Sequence, residues 1–340
     1  MLARGLEAGD PDAMAAVREE LKIDELELEE FFGHGPLAPL LADESITEIL
    51  VNGLDEIWVE RSGNLILSGA KFSGEESLRR YVRRLLAQAG RKVDHQAPFA
   101  DASLPCGSRL HVAGPPVTKR GYCLSIRKFS SSPWTLARLE ASGALTKKSA
   151  VLLESLVRSR QNILVAGGTG SGKTSMLGAL LGQVGIAERT ILLEDISEIK
   201  AHHAHLIGLE ARPPNQEGEG EITLKRLLRE ALRMRPDRLV VGECRGPEAL
   251  DLLLALNTGH HGSMATIHAN SPREALARLE TLAMLAAENL REGAVKSLVA
   301  GSIQFVAQLA RTENGRRLVN LAEIKGVDGG RYLLKELELT

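Results

Sequence analysis

The chain has little cysteine. Its 340 residues include only three, Cys106, Cys123 and Cys244, which lie far apart in the sequence. An odd number of cysteines without a C-x-x-C spacing argues against a disulfide framework and against a zinc site, and it suits a reducing compartment. The class of small, disulfide-stapled secreted proteins is therefore excluded.

Long apolar stretches are also missing. No run approaches the roughly 20 apolar residues that a helix needs to cross a bilayer. The first ten residues carry acids and lack the apolar core of a signal peptide. We therefore expect a soluble, cytoplasmic protein without a membrane span, so that any role at a membrane depends on partner proteins.

Neither sign of charge dominates the composition. The chain has 42 Lys and Arg against 44 Asp and Glu, for a formal net charge of −2. Composition therefore gives no indication of nucleic-acid binding. A length of 340 residues with 44% hydrophobic residues exceeds one ordinary domain and is enough to bury two cores.

The most informative stretch that is present is GGTGSGKT at residues 167–174, directly after the apolar run NILVA. It fits G-x-x-x-x-G-K-[ST], the phosphate-binding P-loop, between a predicted strand and a predicted helix. Glycines let successive backbone N–H groups curl around phosphates, and the helix that follows adds the positive end of its dipole. Lys173 would reach the β- and γ-phosphates, and Thr174 would ligate Mg²⁺. The alternative is a flexible Gly/Ser loop that happens to contain a lysine. The predicted nucleotide-binding residues are Gly168, Thr169, Gly170, Ser171, Gly172, Lys173, Thr174 and Ser175.

The first part of the chain predicts a helical segment and then a small α+β domain. Residues 1–35 form the helical segment, and its acidic run is either a solvated helix face or a docking tail. We place the α+β domain at residues 36–132 and a linker at 133–145. Strand-like runs separated by turn residues lie at 48–51, 56–59 and 64–67, with further strands between 94 and 129.

One amphipathic helix is predicted inside this domain. Its apolar stripe begins at Leu78 and recurs with helical spacing. Ser73 followed by Glu76 has the spacing of a capping box, and Gly90 marks the end. Arginines at 79, 80, 83 and 84 fall on the outer face, where they are either solvated or contact a phosphate or a partner.

The second domain, residues 146–340, alternates strands and helices. Apolar strand-like runs lie at 163–166, 191–193, 239–241 and 264–267. This rhythm predicts an α/β fold with a mostly parallel sheet covered on both faces. Ligands of such sheets bind at the carboxyl ends of the strands, which is where the P-loop falls.

Three other predicted strands end in residues suited to chemistry. The strand at 191–193 leads into Glu194 and Asp195. The strand at 239–241 leads into Glu243, and the strand at 264–267 leads into His268. A strand-terminal acid beside a P-loop can hold Mg²⁺, directly or through water, and a second acid can polarise the attacking water. Each residue alone could simply meet solvent; together they predict a hydrolytic site.

Two further groups leave alternatives open. A helix at 224–231 carries an apolar stripe opposite Lys225, Arg226, Arg229 and Arg233, followed by Arg235 and Arg238. This basic set is either a solvated face or a nucleic-acid or phosphate contact, and no aromatic residues interleave with it to stack on single strands. His202, His203 and His205 could suggest a metal, but no nearby acid or cysteine completes a set, so surface or edge-strand histidines are favoured.

Four stretches, at residues 167–174, 193–198, 232–246 and 257–270, resemble in order the sequence boxes of the type II/type IV secretion ATPase superfamily. Within it the sequence is most similar to the CpaF-like ATPases of Tad (tight adherence) pili. The stretches that carry this second resemblance are 35–41 with 51–53, 101–105 with 107–109, and 210–215.

The resemblance implies roles for particular residues. Glu194 matches the family's general base for water, with Asp195 and Glu198 completing its box. Glu243 matches the Walker B glutamate near Mg²⁺. His268 matches the residue that senses the γ-phosphate, and His260 lies in the same box. Arg109 and Arg127 fall where the first domain of the family supplies arginines to the phosphates.

The resemblance also implies a RecA-like core, a mobile first domain and a homo-hexameric ring that hydrolyses ATP with Mg²⁺. Zinc-binding relatives carry a tetracysteine motif that this chain lacks, so no zinc is expected. The implied function is to power assembly of a Tad pilus through an inner-membrane platform protein, with disassembly left open and without direct nucleic-acid contact. The protein is then expected at the inner membrane through its partners. The alternatives are the ATPase of a type II or type IV secretion, conjugation or DNA-uptake system, and a regulatory nucleotide-binding module without turnover.

Overall fold

The computed structural model describes residues 30–61, 64–104, 107–128, 132–214, 218–287, 290–313 and 315–339. The chain forms two compact units, Met1–Ser131 and Ser132–Thr340. The helical segment predicted for residues 1–35 lies mostly outside the described residues. Within the described ranges, no helix is both long and apolar enough to span a membrane.

The first unit is built on a six-stranded antiparallel sheet in the order β3-β2-β1-β6-β5-β4. A short 3₁₀ turn at Gly35–Leu37 and helix α1 (Ala38–Ala42) precede it, and helix α2 (Glu75–Gln88) packs its apolar stripe into the same core. The strands are β1 (Ile46–Asn52), β2 (Ile57–Arg61), β3 (Asn64–Leu67), β4 (Phe99–Ser103), β5 (Arg109–Ala113) and β6 (Cys123–Arg127).

The start of α2 differs from the predicted capping box. Its N-cap is Gly74, and no side chain caps the helix. The hydroxyl and backbone N–H of Ser73 instead donate to the buried carboxylate of Glu30, which also accepts from the Ser77 hydroxyl at 2.6 Å. A long-range acceptor therefore replaces the local cap, because a buried carboxylate requires donors of its own.

The arginines of α2 are not all solvated. The Arg80 guanidinium lies 3.7 Å from the centroid of the Phe31 ring, and Arg84 donates to the carbonyls of Phe31 and Gly33. Arg79 and Arg83 are exposed. Arg80 and Arg84 thus contact the segment that precedes α1, whereas Arg79 and Arg83 lie on the solvated side of the helix.

The second unit contains an eight-stranded sheet in the order β14-β13-β12-β7-β11-β10-β8-β9. The strands from β12 to β9 are parallel, and β12, β13 and β14 form an antiparallel meander at one side. This confirms the predicted α/β fold with a mostly parallel sheet. The strands are β7 (Ile163–Gly167), β8 (Thr190–Glu194), β9 (Leu206–Glu210), β10 (Arg238–Cys244), β11 (Met264–Ile267), β12 (Phe305–Thr312), β13 (Gly315–Asp328) and β14 (Arg331–Glu336).

Helices cover both faces of this sheet because its strands carry apolar side chains on both sides, as parallel strands require. One buried cluster packs the sheet against α3, α4 and α5, and another packs it against α6 to α9. The helices are α3 (Leu136–Ala141), α4 (Lys147–Arg158), α5 (Lys173–Leu181), α6 (Leu224–Ala231), α7 (Glu248–Asn257), α8 (Pro272–Leu285) and α9 (Glu292–Ser302).

Residues 133–145, predicted as a linker, contain α3 and belong to the second unit. The Thr135 hydroxyl caps this helix by accepting from the backbone N–H of Arg138. Leu136 and Leu139 are buried in the cluster that also contains α5. Their burial explains why this stretch folds against the core.

Candidate active site

The P-loop joins β7 to α5 at the carboxyl end of the sheet. Gly170 and Gly172 adopt φ values of +68° and +96°, which side chains with a Cβ rarely allow. A Cβ on Gly167 would collide with the Ser171 hydroxyl and lie 2.8 Å from the Leu309 carbonyl oxygen. These glycines are therefore required by the backbone path of the loop.

Lys173, the first residue of α5, folds back over this loop. Its Nζ donates to the carbonyls of Gly167 and Gly168, each at 2.9 Å. Burial lowers the pKa of Lys173, and the nearby Glu243 carboxylate opposes that shift. The amine is thus held at the mouth of the loop, where an anionic oxygen would be a stronger acceptor than a neutral carbonyl.

Three hydroxyls at the loop and the start of α5 differ in their burial. The Ser171 hydroxyl is buried and has no hydrogen-bond partner among the described residues. Thr174 and Ser175 lie half-buried in the first turn of α5. Thr174 and Ser175 are therefore more accessible to a ligand than Ser171, whose hydroxyl packs against Gly167.

Glu194 ends β8 and is 5% exposed. Its Oε1 accepts hydrogen bonds from the backbone N–H groups of Glu198 and Ile199, both at 3.0 Å. Burial raises the pKa of Glu194 to about 7, with a smaller contribution from the charges of Glu198 and Glu210 and opposition from the two backbone N–H groups. A carboxylate that titrates near neutral pH is suited to accept a proton.

Glu243, near the end of β10, is linked to Asp195 by an arginine that sequence reasoning missed. Arg245 Nε lies 3.0 Å from Asp195 Oδ2, and its Nη2 lies 3.1 Å from Glu243 Oε2. All three side chains are partly exposed, so each ion pair adds little stability. The only available signal was the position of Arg245 two residues after Glu243 at a strand end.

His268 directly follows β11 and contacts the P-loop. Its Nε2 lies 3.0 Å from Thr169 Oγ1. His260 precedes β11, and its Nδ1 lies 3.0 Å from the Ala255 carbonyl oxygen at the end of α7. The two histidines of the same sequence box therefore lie at opposite ends of the strand, and only His268 is at the P-loop.

The strand order explains this gathering. In the sheet, four parallel strands are consecutive neighbours, in the order β7, β11, β10 and β8. Their carboxyl ends therefore lie along one edge of the sheet, and this edge carries the P-loop, His268, Glu243 and Glu194. Arg109 and Arg127 belong to the first unit, where they lie directly opposite each other on β5 and β6. Arg109 is half-buried and Arg127 is exposed.

The histidines at 202, 203 and 205 were considered above as possible metal ligands. His203 Nε2 lies 3.0 Å from the Glu188 carbonyl oxygen and 3.1 Å from Thr190 Oγ1, and burial lowers its pKa. In the described part of the chain, no cluster of His, Cys, Asp and Glu could hold a metal. His202, His203 and His205 therefore do not form a metal site there.

The basic residues predicted as one set around the helix at 224–231 do not share one exposed face. Arg238 is fully buried and makes two hydrogen bonds, at 2.9 and 3.0 Å, to the carboxylate of Glu188, so its assignment to an exposed basic face is wrong. On α6, Arg229 and Lys225 lie 3.0 and 3.9 Å from the carboxylate of Asp251. A carboxylate already neutralises part of this helix, which weakens the case for a nucleic-acid contact.

Comparison with known proteins identifies the family to which the chain is similar. Residues 30–325 match the family described as Type II/IV secretion system protein. The chain is 43% identical over 307 residues to a putative conjugal transfer protein of Mycobacterium tuberculosis H37Rv, covering 88% of this chain and 87% of that protein. It is 32% identical over 304 residues to the type IV secretion system protein PtlH of Bordetella pertussis Tohama I, covering 81% of this chain and 88% of that protein.

A solved structure shares the fold. The ADP-bound pilus retraction motor PilT matches with a TM-score of 0.61 at 19% identity, covering 92% of this chain and 82% of that chain. This supports the RecA-like core. The two relatives named above are conjugal transfer and type IV secretion proteins, so the finer resemblance to Tad pilus ATPases finds no support in them. The chain belongs to the Type II/IV secretion system protein family.

Proposed function

We propose that this protein is an ATPase that powers a type IV secretion or conjugation machine. The observation that carries the proposal is the gathering of a P-loop, two carboxylates and a histidine at neighbouring parallel strand ends, with His268 in contact with Thr169. The names of the relatives support the secretion and conjugation alternative over the Tad pilus.

The P-loop residues, 168–175, bind the phosphates of ATP. Lys173 exchanges its two carbonyl acceptors for phosphate oxygens, and the backbone N–H groups at the start of α5 add the positive end of the helix dipole. The Thr174 hydroxyl and the Glu243 carboxylate are hard oxygen donors of the kind that Mg²⁺ prefers. When bound, Mg²⁺ neutralises charge on the phosphates.

Glu194 acts as the general base. Its Oε1 is occupied by two backbone N–H groups, which leaves Oε2 to accept a proton from water. The oxygen of that water forms a bond to the γ-phosphorus while the bond from this phosphorus to the bridging oxygen breaks, and ADP and phosphate result. His268 contributes through its contact with the loop that holds the γ-phosphate.

Arg109 and Arg127 provide positive charge to the phosphates from the first unit. They lie directly opposite each other on the neighbouring strands β5 and β6. A charge that arrives with a moving domain can couple hydrolysis to motion. We expect the working form to be a homo-hexamer that acts at the inner membrane through a partner in the membrane, without direct nucleic-acid contact.

A gene-replacement experiment tests this function. Cells that carry Lys173→Ala in place of the wild-type gene should lose DNA transfer or protein secretion and keep normal levels of the protein. Surface pili, counted in the same cells, provide the comparison with the Tad alternative. Normal transfer and secretion together with a loss of pili would contradict the proposal.

A further inference from the structure

We propose that Arg311 and Arg316, on the hairpin formed by β12 and β13, make up a second cationic contact for the phosphates of the nucleotide, beside the P-loop. The inference deepens the proposed function and rests on it, since it concerns the same ligand. It assigns a role to two residues outside the sequence boxes that carried the family resemblance.

The hairpin lies next to the P-loop because of its register with β7. Strand β12 runs parallel to β7 up to the pair Leu309 and Gly167. The Leu309 carbonyl oxygen lies 2.8 Å from the position that a Cβ would take on Gly167. Two residues further along a strand, Arg311 is about 7 Å beyond this pair. The end of the hairpin therefore extends past the edge of the sheet, alongside the loop.

Strand alternation directs both arginines to the side of α5. Leu309 and Leu318 are buried in the cluster that contains α5, and side chains two residues apart share a face. Arg311 and Arg316 therefore lie on that same face. Consistent with this, Arg316 Cδ is 3.5 Å from the position that a Cβ would take on Gly172.

The two arginines form an unrelieved like-charge pair. Arg311 and Arg316 are directly opposite in the antiparallel register, and both are exposed. Like charges in this position destabilise a sheet. Among the described residues neither makes an ion pair, and Glu313 in the adjoining turn makes none with them. An anion bound at this face would relieve the repulsion.

Four other cations of the second unit are already paired. Arg229, Arg238, Arg245 and Lys296 each have a carboxylate partner. Two opposed cations that have no carboxylate partner within the residues that the structure describes, beside the backbone of one loop, point to a shared anionic ligand.

The position of Arg316 selects particular phosphates. In a P-loop the lysine reaches the β- and γ-phosphates while the backbone of the loop cradles the α- and β-phosphates. Arg316 lies against Gly172, which is part of that backbone. The contact should therefore be one that ATP and ADP have in common, unlike a contact made by a γ-phosphate sensor.

Binding measurements on the full chain test the inference. Calorimetry with Mg-ATP, Mg-ADP and inorganic tripolyphosphate should show about tenfold weaker binding of all three to Arg316→Ala, the loss typical of one charged hydrogen bond. Arg316→Lys should fall between the wild type and Arg316→Ala. Arg317→Ala is the matched control, because Arg317 is the next residue on β13 and lies on the other face, opposite Ala310.

Two outcomes would overturn the inference. One is equal binding by Arg316→Ala and Arg317→Ala. The other is a loss of ATP and ADP binding with unchanged tripolyphosphate binding, which would assign Arg316 to the base instead of the phosphates. Failure of the proposed function has a different signature: cells that carry Lys173→Ala would then keep normal DNA transfer and protein secretion, whatever the affinity of Arg316→Ala for nucleotide.

Discussion

His268 Nε2 lies 3.0 Å from Thr169 Oγ1, and this contact joins the end of β11 to the P-loop. A histidine held there can respond to whatever occupies the loop. Because the loop is made by residues adjacent in sequence, while the histidine arrives from the neighbouring strand, the contact depends on the order of strands in the sheet.

The first prediction concerns this histidine. His268→Ala should lower kcat by about 100-fold, the loss typical of one preorganised transition-state contact. ADP affinity should change less than threefold, because ADP lacks the γ-phosphate. His260→Ala serves as the control, since His260 lies at the other end of β11 and should keep its turnover. Equal losses in both variants would contradict the assignment.

The second prediction is a pH profile. Glu194 must be ionised to accept a proton, and its pKa is raised to about 7. The value of kcat/KM should therefore fall about tenfold for each pH unit below 7 and reach a plateau above it. Nucleotide affinity measured at each pH corrects for titration of the ligand.

A substitution near Glu194 tests whether this residue causes the acid limb of the profile. Burial is the main cause of the raised pKa, and the charge of Glu210 adds to it. Glu210→Gln removes a negative neighbour and should shift the acid limb of the profile to lower pH. An unshifted limb would mean that another group is titrating.

Sequence reasoning predicted the four central strands that carry the candidate site, because their signals are local, but it did not place β9 or the meander of β12, β13 and β14. The P-loop, the apolar strands and the strand-terminal acids all lie within short stretches. Residue partners far apart in sequence were missed for a physical reason. Ser73 bonds Glu30 instead of capping its helix, and Arg245 bridges two strand ends whose adjacency is set by the sheet order.

The third prediction follows from such a distant partner. Arg238 is buried and bonded to the carboxylate of Glu188, 50 residues away, and to the carbonyls of Val157 and Gly262. Arg238→Ala removes a fully buried guanidinium, leaves the buried carbonyls of Val157 and Gly262 without this donor, and leaves the half-buried Glu188 carboxylate with Arg160 as an ion-pair partner. It should reduce the free energy of unfolding by about 2–3 kcal/mol. Urea unfolding provides the measurement. The exposed Arg233, changed to Ala, should alter stability by less than about 0.5 kcal/mol, and equal effects would contradict the burial argument.

The fourth prediction concerns the first unit. The double variant Arg109→Ala/Arg127→Ala should reduce kcat by about 10³-fold, because arginines that neutralise phosphoryl-transfer charge are worth 10³ or more. The exposed Arg83 on α2, changed to Ala, is the control and should keep full turnover. Normal hydrolysis by the double variant would remove the first unit from the chemistry.

The most direct test of the central claim is phosphate release from Mg-ATP by the wild type, Lys173→Ala and Glu194→Gln. The wild type should turn over. Lys173→Ala should bind ATP weakly and release little phosphate. Glu194→Gln should bind ATP about as tightly as the wild type and release phosphate at least about 100-fold more slowly, because the amide cannot take the proton. Hydrolysis by Glu194→Gln at the wild-type rate would contradict the account.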